Sequence, residues 1–148
     1  MSENTFKASG TCLCGNVTYT TSLKAGAGAC HCAMCRKWSG GPYMAVHATG
    51  KVIFQGEQHI GRYSSSPWAE RGFCKNCGSN LFYYLLPRPN FPDGAYMLSA
   101  GSVADQNKLI FDNEVFVNGA PGWYRFTDEE SRERLTEADI MAKYGGDN

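Results

Sequence analysis

Short runs rich in β-branched and aromatic residues, cut at close intervals by glycine and proline, dominate the hydrophobic pattern of this chain. They fall at 17–21, 43–48, 51–55, 59–64, 80–86, 96–99 and 115–117, each of strand length and flanked by turn-forming residues. In Lys51-Val52-Ile53-Phe54-Gln55 the alternation of a half-buried strand is imperfect. Leu81-Phe82-Tyr83-Tyr84-Leu85-Leu86 is apolar throughout and reads as a central strand covered on both faces. Helix is expected in two places. One is a short turn after Cys32; the other lies near the C-terminus, where Thr136 is placed to cap a helix over 137–144 that Gly145 ends. An acidic turn is expected within 127–135, and the proline-rich 87–94 stretch must be a loop, bordering a pocket. The pattern predicts a mainly β protein of antiparallel strands, with short helices including one near the C-terminus.

Length and charge narrow the picture. A chain of 148 residues with 43% hydrophobic content fits one compact domain, 1–148, able to fill its own core. Fourteen basic and fourteen acidic residues cancel, so no global field draws in nucleic acid or an anionic membrane, and a small-molecule partner is expected. The opening Met-Ser-Glu-Asn-Thr-Phe-Lys has no apolar run, and no stretch reaches the roughly 20 apolar residues of a membrane span. A cytoplasmic location follows as the expectation. Seven cysteines in a reducing compartment, an odd number, suit metal binding better than a disulfide framework.

Every cysteine belongs to one of three clusters: Cys12-Leu13-Cys14-Gly15, Cys30-His31-Cys32-Ala33-Met34-Cys35, and Cys74-Lys75-Asn76-Cys77-Gly78. Alternate side chains of a strand share a face, so Cys12 with Cys14, and Cys30 with Cys32, can each address one metal. Cys74-x2-Cys77-Gly78 has the spacing of a zinc knuckle. Joining Cys12 and Cys14 to Cys74 and Cys77 makes a closed four-thiolate site and leaves Cys30, Cys32 and Cys35 as three ligands with an open position. The rival pairing joins Cys32 and Cys35 to Cys74 and Cys77 and strands the other three. Ligand counting permits both.

The ordered motifs Cys-x-Cys-Gly, Cys-His-Cys-x2-Cys-Arg-Lys-x-Ser-Gly and Cys-x2-Cys-Gly-Ser resemble those of the glutathione-dependent formaldehyde-activating enzyme family, which includes centromere-protein-V-like proteins. The resemblance spans about 10–123. It implies a β-tent fold of small antiparallel sheets around a structural zinc, and it favours the first pairing, with zinc on Cys12, Cys14, Cys74 and Cys77. A second, labile or catalytic zinc is implied on Cys30, Cys32 and Cys35. The implied activity is that of a carbon-sulfur lyase, joining glutathione and formaldehyde as S-hydroxymethylglutathione. Where the family commonly carries an Asp-Asp-Pro turn and a His-Ile segment, this chain has Ala104-Asp105-Gln106 and Glu114-Val115-Phe116.

Three thiolates leave bound zinc anionic, a poorer generator of hydroxide than a three-histidine site and better suited to a thiol. Arg36 and Lys37 are candidates to face the carboxylates of glutathione. Ser39 and Gly40 are candidates to offer backbone N–H groups, although with Gly41 they suit a turn as well. Alternation directs His31 away from the metal. Trp38, Trp68, Trp123, Tyr43, Tyr63, Phe82 and Tyr83 are expected in the core and pocket wall. Arg71 and Ser79 flank the four-cysteine site, and Glu70 and Arg71 could form an exposed ion pair. The competing reading is a non-catalytic, zinc-supported binding module, since fold does not fix function.

Overall fold

The computed structural model describes residues 4–145. The reading of 1–148 as one unit, and of the opening segment as leaderless, extends at both ends to residues outside the described ones. Ten strands form one mixed sheet: β1 (Thr5–Thr11), β2 (Thr18–Cys30), β3 (Tyr43–Ala48), β4 (Ile53–Gln55), β5 (Ile60–Ser66), β6 (Ala69–Cys74), β7 (Asn80–Leu85), β8 (Ala95–Ser99), β9 (Ile110–Val115) and β10 (Glu133–Leu135). Two helices, α1 (Ala33–Ser39) and α2 (Glu137–Tyr144), complete the regular structure apart from short 3-10 turns. The mainly β expectation holds. Among the described residues no helix is long and apolar enough to cross a membrane.

The strand order is β10-β9-β2-β3-β8-β7-β6-β5, with β1 and β4 also pairing onto β2. Most pairings are antiparallel, but β9 runs parallel to β2 and β10 parallel to β9. Strand β2 is the organiser. Its first half carries β1 and β4, its second half β3 and β9, and register shifts between Leu23 and Ala27 and between Ala27 and Gly28 mark where it changes partners. That irregularity lets the β1–β2–β4 part fold over the rest. The Phe54 ring of β4 accordingly lies 5.4 Å from Phe82 of β7 and 5.7 Å from Tyr96 of β8.

The space between is the core: Val17, Tyr19, Leu23, Val46, Leu81, Phe82 and Leu98 are almost wholly removed from water, with Cys12 and Cys74 at its margin. Burying such side chains contributes about 1.5–3 kcal/mol each relative to leaving them exposed. In β4 the alternation is regular after all, since Ile53 points outward at 63% exposure while Phe54 packs inward. Helix α2 starts with a capping box: the Thr136 hydroxyl accepts from the Asp139 N–H at 3.1 Å, and the Asp139 carboxylate accepts from the Thr136 N–H at 2.9 Å.

Candidate metal centres

Two matching turns build the first centre. Strand β1 runs into the turn that carries Cys12 and Cys14; Cys12 N–H donates to Val17 O at 3.0 Å and Gly15 N–H to Cys12 O at 3.3 Å. Strand β6 ends on Cys74, whose N–H donates to Ser79 O at 2.9 Å, while Gly78 N–H returns to Cys74 O at 2.8 Å. Gly15 and Gly78 have φ of 86° and 78°, the left-handed conformation that a side chain resists and each tight turn requires. The turns face one another, and all four sulfurs lie within 4.8 Å of each other. Cys12 and Cys14 sulfurs are 3.6 Å apart, Cys14 and Cys74 sulfurs 3.8 Å.

Those spacings fit zinc. Zn–S bonds of about 2.3 Å put the corners of a tetrahedron about 3.8 Å apart, whereas a disulfide needs about 2.05 Å; all seven cysteines are free. The Ser79 hydroxyl stitches the turns together, accepting from Leu13 N–H at 3.0 Å and lying 3.2 Å from Cys77 Sγ. That hydroxyl and the Ser79 backbone N–H draw the Cys77 thiol down to about 5. The Asn76 side chain likewise lowers Cys14. Val17 N–H donates to Cys12 Sγ at 3.3 Å. Donors aimed at sulfur stabilise thiolate, the form a metal needs.

The second cluster gathers where β2 meets α1. Cys30 is the last residue of β2, Cys32 caps α1 with extended φ and ψ of −64° and 157°, and Cys35 lies in its first turn. Cys35 N–H donates to Cys32 Sγ at 3.4 Å, and the three sulfurs converge within 4.8 Å. Cys35 is the inner member at 4% exposure; Cys30 and Cys32 are half-buried. Hydrogen bonds from the Cys30 and Cys35 thiols, with the Cys35 N–H and the charge of Arg71, draw Cys32 well below the ordinary thiol value. Cys30 moves up in consequence, by its hydrogen bonding to Cys32 and Cys35. Three convergent sulfurs, two of them on half-buried residues, suit a metal with one position to spare. Among the described residues, these two clusters are where three or more metal-donating side chains converge.

Around the trio the chain places groups that spacing did not identify. Arg71 of β6 is 2% exposed, and its two terminal nitrogens lie 3.6 and 3.7 Å from Cys35 Sγ. Trp38 and Tyr83 each hold a ring 5.1 Å from the guanidinium. The suggested Glu70–Arg71 pair does not form: Glu70 pairs across the strand turn with Arg62 at 3.4 Å, because Arg71 faces inward. Burial pushes the Tyr83 hydroxyl up to about 12, and Tyr43, also buried, hydrogen-bonds Ser99 at 2.8 Å.

His31 is 2% exposed and turned away from the sulfurs. Its Nε2 meets the Glu114 carboxylate at 2.8 Å, and its Nδ1 meets the Tyr124 hydroxyl at 2.8 Å. Since an ionised carboxylate only accepts, Nε2–H is the donor, which fixes the orientation of the ring. The other Glu114 oxygen accepts from Arg132 at 3.0 Å and Arg134 at 3.2 Å. Burial opposes ionisation of Glu114, but His31 and the two arginines outweigh it and hold the carboxyl below the usual carboxylate range. The Cys-His-Cys pattern signalled that His31 would leave the sulfurs. No local pattern linked it to residues 83 and 93 positions later.

Of the candidate substrate contacts, Arg36 donates from Nε to His31 O at 3.0 Å, and Lys37 is exposed. Ser39 donates its hydroxyl to Cys35 O at 2.7 Å and Gly41 O at 2.9 Å, and Gly40 closes α1 through its N–H to Arg36 O. Two aromatics expected inside lie outside: Trp123 is 75% and Tyr63 63% exposed. Trp123 rides on a loop against the Tyr124 ring at 4.7 Å, and Tyr63 sits on the terminal strand β5.

A family model described as glutathione-dependent formaldehyde-activating enzyme matches residues 7–119. A Schizosaccharomyces pombe protein named as an uncharacterized lyase is 34% identical over 102 residues, covering 69% of this chain and 72% of its own. A crystal structure of a Rhodobacter sphaeroides protein aligns with a TM-score of 0.53 at 19% identity, covering 86% of this chain and 99% of that one. At that identity the likeness concerns the fold alone.

Proposed function

Because the chain belongs to the glutathione-dependent formaldehyde-activating enzyme family, we propose that it is a zinc-dependent carbon-sulfur lyase acting on a glutathione adduct of formaldehyde or a related small aldehyde. The observation that carries this reading is the three-thiol cluster of Cys30, Cys32 and Cys35, separate from the four-thiol set and partly open to solvent. In this reading Cys12, Cys14, Cys74 and Cys77 hold a structural ion, and 1–148 forms one unit with its motif core at 10–123. Keeping seven thiols reduced favours the cytoplasm.

A zinc ion on the trio would supply Lewis-acid charge that lowers the pKa of a thiol taken as fourth ligand. In the synthetic direction the thiol S–H bond and the carbonyl π bond break, an S–C bond forms, and the proton ends on the former carbonyl oxygen. The lyase direction reverses each change. Cys30, Cys32 and Cys35 hold the site; Trp38, Tyr43 and Tyr83 keep its inner side dry, which strengthens every charge interaction there. Arg36 and Lys37, following Cys35, are the cations offered to the glutathione carboxylates. Ser39 and Gly40 shape the adjoining turn.

The test is adduct formation above the uncatalysed background, for wild type, Cys32→Ser and Cys35→Ser, with circular dichroism as the fold control. Folded but inactive variants are expected. Activity retained by folded variants would remove the trio from the reacting site, and a wild type with no activity above background would leave a binding module as the better account.

A further inference from the structure

Arg71 lies three residues before Cys74 on β6, yet its side chain reaches the other cysteine cluster. The strand register explains why. Arg71 pairs directly with Tyr83 of β7, whose ring forms one wall of the guanidinium slot, and Trp38 from α1 forms another. A cation at 2% exposure requires an anion to compensate the lost water. Among the described residues no carboxylate forms an ion pair with it. What it meets instead is sulfur: both terminal nitrogens converge on Cys35 Sγ, at 3.6 and 3.7 Å. The planar fork and its stacking between aromatic faces are properties of arginine that lysine lacks.

We propose that Arg71 is the resident counter-cation of the three-cysteine centre, a positioning residue that holds Cys35 in place and adjusts the charge of the centre so that a thiolate can complete it. The proposal rests on reading the trio as a metal site. Three thiolates and a divalent ion leave one negative charge, which the guanidinium cancels. A thiolate arriving as fourth ligand then meets a neutral assembly instead of an anionic one. Loss of the cation should loosen the second ion without touching the first, because the donors to Cys12 and Cys77 sulfur come from Val17 and Ser79.

Zinc release into a chromogenic chelator separates these effects. Wild type carrying two ions should release them in two phases, the slower from the closed four-cysteine set. In Arg71→Met the fast phase should accelerate about tenfold or more, the equivalent of about 1.4 kcal/mol for losing charge-assisted donors to sulfur, with the slow phase unchanged. Arg71→Lys should fall between, keeping charge but not the fork. If Arg71→Met releases the second ion no faster than wild type, the proposal is wrong. It is equally wrong if both phases accelerate together in both variants, since Arg71 then merely supports the fold. Wild type that binds a single ion would sink the reading of the trio itself, a result visible before any variant is made.

Discussion

Glu114→Gln tests the link between the second cysteine cluster and the segment that follows β9. Glu114 is 2% exposed and serves His31, Arg132 and Arg134 together. It pairs in register with Ala29 of β2 on one side and Arg134 of β10 on the other. Glutamine keeps the volume and one acceptor but removes the charge, and its amide N–H groups face donors. Arg132, with a side chain only 7% exposed, is left without its buried partner. Breaking a buried pair from one side costs about 3–5 kcal/mol, so the melting temperature at saturating zinc should fall by roughly 6–20 °C. The double variant Glu114→Leu with Arg132→Met should recover part of the loss, since no unpaired cation stays buried. The pH dependence has a definite sign. The folded carboxyl titrates below its ordinary value, so its contribution is complete above the unfolded value of about 4.3 and is lost as pH falls through the lower folded value. Wild type should therefore lose stability on acidification below about pH 5 more steeply than Glu114→Gln. A Glu114→Gln protein that melts within a degree of wild type, with the same acid slope, would refute this reasoning.

Two other variants probe the first centre and the core. Cys74→Ser removes a proposed zinc ligand from the turn that joins β6 to β7, and should abolish the cooperative melting transition together with zinc binding at the four-cysteine set; a folded variant by circular dichroism would contradict a structural role. Gly72→Ala would place a methyl group 2.1 Å from the Phe82 ring, which is itself fully buried. Overpacking of this kind costs about 1–3 kcal/mol, readable as a lower urea midpoint with zinc content unchanged.

Much of this molecule is legible in its sequence, and the gaps have physical causes. Strand β3, helix α2 with its Thr136 cap, and the 87–94 loop follow from local patterns alone. Strand β2 beyond Thr21 did not, because Lys24-Ala25-Gly26-Ala27-Gly28-Ala29 has little strand propensity. Its small residues are used for close approach, with Asp112 and Asn113 of β9 lying where side chains at Gly26 and Gly28 would be. Strand β6 was also hidden, since Glu70-Arg71-Gly72 resembles a surface turn unless Arg71 is known to face sulfur. The four-plus-three division of cysteines was available from spacing, and the sulfur positions match the pairing the family resemblance favoured. Glu114 could not have been found this way. Its partners at 31, 132 and 134 are brought together only by the parallel β2–β9–β10 pairing, a long-range contact without a local signature.

The four-cysteine and three-cysteine clusters are proposed to be two metal centres of different character in one chain. Zinc per chain, measured by atomic emission for wild type and Cys35→Ser, addresses this most directly. Two ions in wild type and one in a folded Cys35→Ser protein is the predicted result. One ion in wild type, or two still held by Cys35→Ser, would contradict it.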